Sequence, residues 1–163
     1  MSIKIISADY QSPQHAKDMG FLLNQYALDP MGGNAALPGE ITENLAHELA
    51  KRSYAFTVLA YVEDKPAGMV NCFEAYSTFE GKPLVNIHDV VVLKGFRGLK
   101  LSIKMLDEVE KIATERGCCK LTLEVLSGNH IAKSAYQKFG FASYILDPKK
   151  GEAVFWQKRL REN

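Results

Sequence analysis

Four basic residues and no acidic one occupy the segment Lys94-Gly95-Phe96-Arg97-Gly98-Leu99-Lys100-Leu101-Ser102-Ile103-Lys104. Apolar spacing predicts that a helix begins within it. A helix start carries unclaimed N–H groups and the positive end of the macrodipole, so cations crowd it at a cost unless an anion is held there. The backbone N–H groups of Gly98, Leu99, Lys100, Leu101, Ser102 and Ile103, with the Arg97 guanidinium, form a candidate cradle for a diphosphate. A solvated basic face accounts for the same charges equally well. Neither the Gly-x-Gly-x-x-Gly pattern of dinucleotide sites nor a glycine loop ending in Gly-Lys-Ser/Thr is present, which argues against those two phosphate-binding readings.

Two further side chains have the chemistry for proton transfer. His88 precedes Asp89 in an apolar, β-branched run, and an imidazole with a pKa near 6.5 suits proton acceptance close to neutral pH. A cross-strand or core histidine is the plain alternative. Strand alternation sends His88 and Asp89 to opposite sheet faces, so a dyad is not expected. The Tyr136 phenol lies in a helical stretch whose Ile131, Ala135 and Phe139 form one apolar side, where a packed aromatic is the plain reading. His15, His47 and His130 are not at ligand spacing with one another or with cysteine, so no metal site is expected. Cys72, Cys118 and Cys119 form no Cys-x-x-Cys and read as small apolar residues in a reducing compartment.

The elements that must position these groups follow from periodicity and punctuation. Residues 3–8 alternate as a strand. Ser12 caps a helix that opens on Pro13 and runs to about residue 28. A loop rich in breakers spans 29–34, and a second helix covers about 40–52. Strands follow at 56–62, 69–76 and 87–93, the last the strongest β signal. The basic loop 94–99 leads into a long helix to about 116, which Gly117 stops. A strand at 120–126, a turn at 127–129, a short helix from His130 ended by Gly140, and closing strands at 142–146 and 153–158 complete the chain. The order is β-α-α-β-β-β-α-β-α-β-β. It reads as one mixed α/β (α+β) domain, 1–163, with a central sheet of about seven strands and about four helices.

Strand, loop and helix in VVVLKGFRGLKLSIKMLDEVEKIA resemble the acetyl-CoA motif of the GNAT superfamily. Arg97 stands at that motif's first position and Ser102 at its last small position. Lys100 replaces its glycine: lysine keeps the N–H but enters positive-φ conformations less freely. A second family motif is matched by Asn129, Ala132, Tyr136 and Phe139-Gly140-Phe141. With the element order, the resemblance covers nearly the whole chain. Residues 76–83 are loosely similar to the polyamine and thialysine acetyltransferase branch.

The resemblance implies a GNAT-like fold and an N-acetyltransferase that moves the acetyl group of acetyl-CoA to a primary amine by direct attack. It implies Tyr136 as general acid for the thiolate, and His88, where the polyamine-like branch has Glu-Asp, as general base. Val90, Val91 and Val92 would pair through their backbone with the pantetheine arm, which Asn129 and Ala132 also approach; Asn129 has helix capping as a second role. The first two helices and their loop would shape the acceptor pocket, with Tyr26, Asp29, Met31 and Asn34 in it. Between residues 9 and 48 there are six acidic residues and one lysine, which suits a cationic small-molecule amine or simply a solvated helix face. A homodimer through the last strands is the family-based expectation. Departure at Lys100 motivates one rival, a non-catalytic acyl-CoA-binding module. An unrelated α/β protein that binds another phosphate ligand is a second.

Composition sets the frame. The chain has 163 residues, 47% of them hydrophobic and 24% charged, and a net charge of +1. That is enough to bury a core, and it points to neither a nucleic-acid nor a membrane-surface partner. No apolar run approaches the roughly 18–20 residues of a membrane span. The opening MSIKIISADYQ lacks the pattern of a signal peptide, so the expected location is the cytoplasm.

Overall fold

The computed structural model describes residues 1–160, and the last three residues of the expected 1–163 domain lie outside them. The chain forms two compact units, Met1–Leu123 and Glu124–Asn163.

The first unit is built on a five-stranded sheet in the order β1 (Ile3–Ser7), β2 (Ala55–Val62), β3 (Lys65–Ser77), β4 (Lys82–Val92) and β5 (Leu121–Leu123). β1 to β4 pair antiparallel, and β5 joins β4 in parallel. β3 and β4 are longer than periodicity suggests, because they continue as a hairpin to Ser77↔Lys82 beyond the point where apolar alternation fades.

Two helices lie on one face. α1 (Pro13–Leu28) starts as its sequence directs, with Ser12 Oγ accepting from the His15 N–H at 3.3 Å and Pro13 in the first turn. α2 (Gly39–Ala50) crosses it closely: a Cβ on Gly20 would overlap the Thr42 carbonyl oxygen, so only glycine permits this approach. Met19 and Leu22 of α1 and Ala46 and Leu49 of α2 bury against Ala55, Leu59, Met69 and Val91 of the sheet. The opposite face receives α3 (Leu101–Glu115), whose Leu101, Met105, Leu106, Val109 and Ala113 are buried. Gly68, on the side of β3 away from Met69, makes room for it. A Cβ there would stand 2.8 Å from Met105 Cε and 2.9 Å from the Val91 carbonyl oxygen. With helices on both faces, β2 is buried along nearly its whole length.

The second unit contains α4 (His130–Phe139), closed by Gly140 at φ 118°. Here the structure corrects the sequence. Among the described residues the sheet has five strands, not about seven. The segments 142–146 and 153–158 form no ladder; the one isolated bridge here, Ile145↔Glu152, joins the first segment to the residue just before the second. Their residues have β-forming side chains, but a strand exists only through a hydrogen-bonded neighbour and a covered apolar face. Tyr144, Ile145, Leu146, Val154, Phe155 and Trp156 are instead exposed. The strand expected at 120–126 is likewise only Leu121–Leu123.

Candidate active site

The middle of β4 is irregular. The ladder pairs Asn71 with Asp89 and Cys72 with Ile87, leaving His88 as the extra residue of a β-bulge. Paired residues share a face, so Ile87 follows Cys72 toward α3 while Asp89 follows Asn71 toward α1 and α2. His88 is exposed and meets the Phe73 ring edge-on at 5.4 Å. Phe73 belongs to the α1/α2 side of the sheet. The expectation that His88 and Asp89 point to opposite faces is therefore overturned: the inserted residue breaks the two-residue period, and both lie on the α1/α2 face.

The bulge also marks where the sheet opens. β5 pairs with Val85, Asn86 and Ile87 and stops there. Val90, Val91 and Val92 carry β3 on one edge, and no described strand on the other. Val91 is buried and Val90 and Val92 are half-buried, so they offer backbone rather than side chain at that edge.

Directly after β4 the chain makes one tight turn at Lys94–Phe96 and enters α3. Gly98 takes φ 88°, and Lys100 takes φ 58° and ψ 32° as the residue before the helix. Lysine thus occupies the left-handed region at the position where the resembled motif has glycine, at a cost of roughly 1–2 kcal/mol. No side chain caps α3, so the first-turn N–H groups of Leu101, Ser102 and Ile103 are unclaimed by the helix. Leu101 is buried as a side chain and can act only through its backbone. Leu99 and Gly98 contribute the turn that brings the chain there.

Arg97 is more than half exposed, and its Nη2 lies 3.5 Å from Asp29 Oδ2. This ion pair joins the basic loop to the segment expected to face the acceptor. Asp29 also organises that segment. Its Oδ1 accepts from the Met31 N–H at 3.0 Å, and its carbonyl accepts from Gly32 and Asn34. Asn34 takes φ 59° and Met31 is exposed. Tyr26 is half-buried, and burial, then the charges of Asp89 and Asp29, push its phenol above the usual tyrosine range. Tyr26, Asp29, Asp89 and Arg97 are therefore neighbours within the first unit.

A feature not anticipated from sequence supports Asp89. Asn71 Nδ2 donates to Asp89 Oδ2 at 3.0 Å, Thr57 Oγ1 donates to Asn71 Oδ1 at 2.7 Å, and Tyr10 Oη lies 2.9 Å from Thr57 Oγ1. Asn71 and Thr57 are buried. The available signal was polar residues at inward positions of apolar strands, Thr57 in AFTVLAYV and Asn71 in MVNCF.

Within the second unit, Asn129 caps α4, its Oδ1 accepting from the Ala132 N–H at 3.2 Å. This commits the Ala132 N–H and realises the capping role. Tyr136 is half-buried and meets Phe141 edge-on at 6.0 Å, and Phe141 stacks on Phe139 at 5.9 Å.

Comparison with known proteins identifies the family and the fold. The model of a family described as acetyltransferase (GNAT) family matches residues 22–141. Thialysine N-epsilon-acetyltransferase from Bos taurus is 32% identical over 66 residues, which are 40% of this chain and 38% of that protein. The matched part thus spans well under half of that relative's length. Among solved structures, a probable acetyltransferase superposes with a TM-score of 0.80 at 15% identity, over 98% of this chain and 99% of the other. The aminoglycoside N-acetyltransferase AAC(6')-Iy, solved in complex with CoA, gives a TM-score of 0.77 at 17% identity, over 98% and 96%. At such identities the two structures speak to the fold alone.

Proposed function

The chain belongs to the GNAT acetyltransferase family, and from that premise we propose that it is an N-acetyltransferase moving the acetyl group of acetyl-CoA to a primary amine. One observation carries the reading: among the described residues the β4 edge at Val90–Val92 has no strand partner beyond the bulge, and one short loop later the chain enters the start of α3, which no side chain caps. An extended amide-bearing arm pairs with an open strand edge as an added strand would. A diphosphate suits free helix N–H groups with Arg97 alongside. The donor set thus fits acetyl-CoA, which supplies an activated thioester when bound.

In this reading the chain's residues do four things. The backbone of Gly98, Leu99, Lys100, Leu101, Ser102 and Ile103, with Arg97, holds the diphosphate. The backbone of Val90, Val91 and Val92 aligns the pantetheine arm and polarises the thioester carbonyl through an N–H; Asn129 and Ala132 are assigned to the same arm by the family motif alone. His88 takes a proton from the amine, which at a pKa near 10.4 is otherwise protonated at neutral pH. Tyr136 donates its phenolic proton to the departing sulfur. The N–C amide bond forms as the C–S bond breaks, with no covalent enzyme intermediate. Tyr26, Asp29, Met31 and Asn34 face the acceptor, and their acidic setting favours a cationic small molecule; aminoglycosides are the acceptor class of one structural neighbour by name.

We further read the chain as one functional domain, since the family match runs across the boundary between the two units. A cytoplasmic location is proposed with it, on three free cysteines, and so is a homodimer.

The test is release of CoA thiol from acetyl-CoA with a panel of polyamines, lysine-like amines and aminoglycosides. Turnover with at least one amine is expected. In the same assay Tyr136→Phe lowers kcat by about 10- to 100-fold, with acetyl-CoA affinity nearly unchanged. An unaltered rate refutes the acid role, and CoA binding without thiol release for any amine favours a binding module.

A further inference from the structure

The buried polar file across the sheet has a direction. Thr57 has one hydroxyl proton and gives it to Asn71 Oδ1, so the bond with Tyr10 must be donated by Tyr10. Asn71 turns its Nδ2 to Asp89 Oδ2. Every donor therefore points the same way, Tyr10 to Thr57 to Asn71 to Asp89, across β2, β3 and β4. Such files strengthen each member in turn. They are also costly to bury half-made, and Thr57 and Asn71 are 1% and 2% exposed. A core that needed only stability is served as well by apolar residues of the same shape.

The file ends at the bulge. Asp89 has one oxygen held by Asn71, while its Oδ1 has no hydrogen-bond partner among the described residues and is not sealed from solvent. Because of the bulge this carboxylate shares a face with His88, and it lies close enough to Tyr26 to act on it by charge. Those are residues the proposed reaction assigns to proton transfer and to the acceptor.

We propose that Thr57 and Asn71 are positioning residues for the acceptor: the hydrogen-bond file running through them fixes one oxygen of Asp89 and presents the other to the incoming amine. This rests on the amine acetyltransferase reading above. The groups on the same face as Asp89 are Asn71 from β3, Tyr26 from α1 and His88 beside it on β4; Cys72 lies on the opposite face of β3 but within reach of its charge, and Asp29 acts on the same Tyr26 phenol. Among these, Asn71 is the hydrogen-bond donor to its carboxylate.

Steady-state kinetics with the full chain, against an amine found in the panel, test the idea. Asn71→Leu and Thr57→Val are expected to lower kcat/KM for the amine by about tenfold or more, with KM for acetyl-CoA unchanged. Thr57→Ser, which keeps the hydroxyl, is expected to recover most of the loss. If Asn71→Leu fails to fold, the near-isosteric Thr57→Val decides. Variants that fold yet keep the wild-type amine kcat/KM overturn the proposal, and so does a fall in kcat with both KM values unchanged or a Thr57→Ser variant that recovers nothing. A wild-type chain that acetylates no amine overturns the underlying reading instead, and this inference with it.

Discussion

Lys100 is the residue where the local rule and the observed backbone disagree most openly. At φ 58° and ψ 32° it holds a conformation that costs a residue with a Cβ roughly 1–2 kcal/mol. Glycine would remove that strain while losing more entropy on folding, by roughly 0.5–1 kcal/mol. Lys100→Gly is therefore expected to raise stability by about 0.5–1 kcal/mol, seen as a higher denaturation midpoint. A lower midpoint would show that the lysine side chain makes a contact worth more than the strain. The same position is informative for the donor. Glycine keeps the N–H and removes a cation, so acetyl-CoA binding to the variant separates backbone cradling from charge attraction. Sequence exposed this residue because the motif around it is specific, and it also gave the residue types at Arg97, Ser102, Asn129 and Tyr136. It did not reveal that Arg97 pairs with Asp29, because that contact joins residues far apart in the chain and depends on how α1 ends beside the basic loop.

At the scale of elements, helix boundaries were legible and sheet details were not. Ser12-Pro13, Gly117 and Gly140 mark helix ends through local chemistry, and each does so in the structure. Strands depend on partners. β4 reads as a strand from Ile87 to Leu93, but its bulge at His88 arises only when its ladder with β3 gains one residue. The close meeting of β3 with α3 is equally non-local. A methyl at Gly68 would crowd both Met105 and the Val91 carbonyl, and the carbonyl cannot swing away as a side chain does. Gly68→Ala is expected to destabilise the chain by about 1–3 kcal/mol, measured by chemical denaturation. A neutral result would mean that β3 and α3 separate more easily than their burial suggests.

At the scale of the whole chain, the family match across residues 22–141 includes parts of both compact units. Reading them as one domain predicts a single cooperative thermal transition, which acetyl-CoA should move upward through preferential binding to the native state. At a ligand concentration of about 100 Kd the gain is about 2.7 kcal/mol. Two separate transitions, one of them insensitive to acetyl-CoA, would instead assign the units independent stability. Among the described residues no helix is long and apolar enough to cross a membrane.

Taken by itself, the sequence determined the helices, the basic helix start and the two family motifs. These are encoded in capping residues, apolar periodicity and spacings that act within a few residues. Only the tertiary structure decided which strands found partners, that β5 stops opposite Ile87, and that one inserted residue brings His88 and Asp89 to the same face. It alone joined Tyr10, Thr57 and Asn71 to Asp89 in one directed file. Strand pairing and buried hydrogen bonds are agreements between distant residues, and a local pattern carries no record of which distant residue completes them.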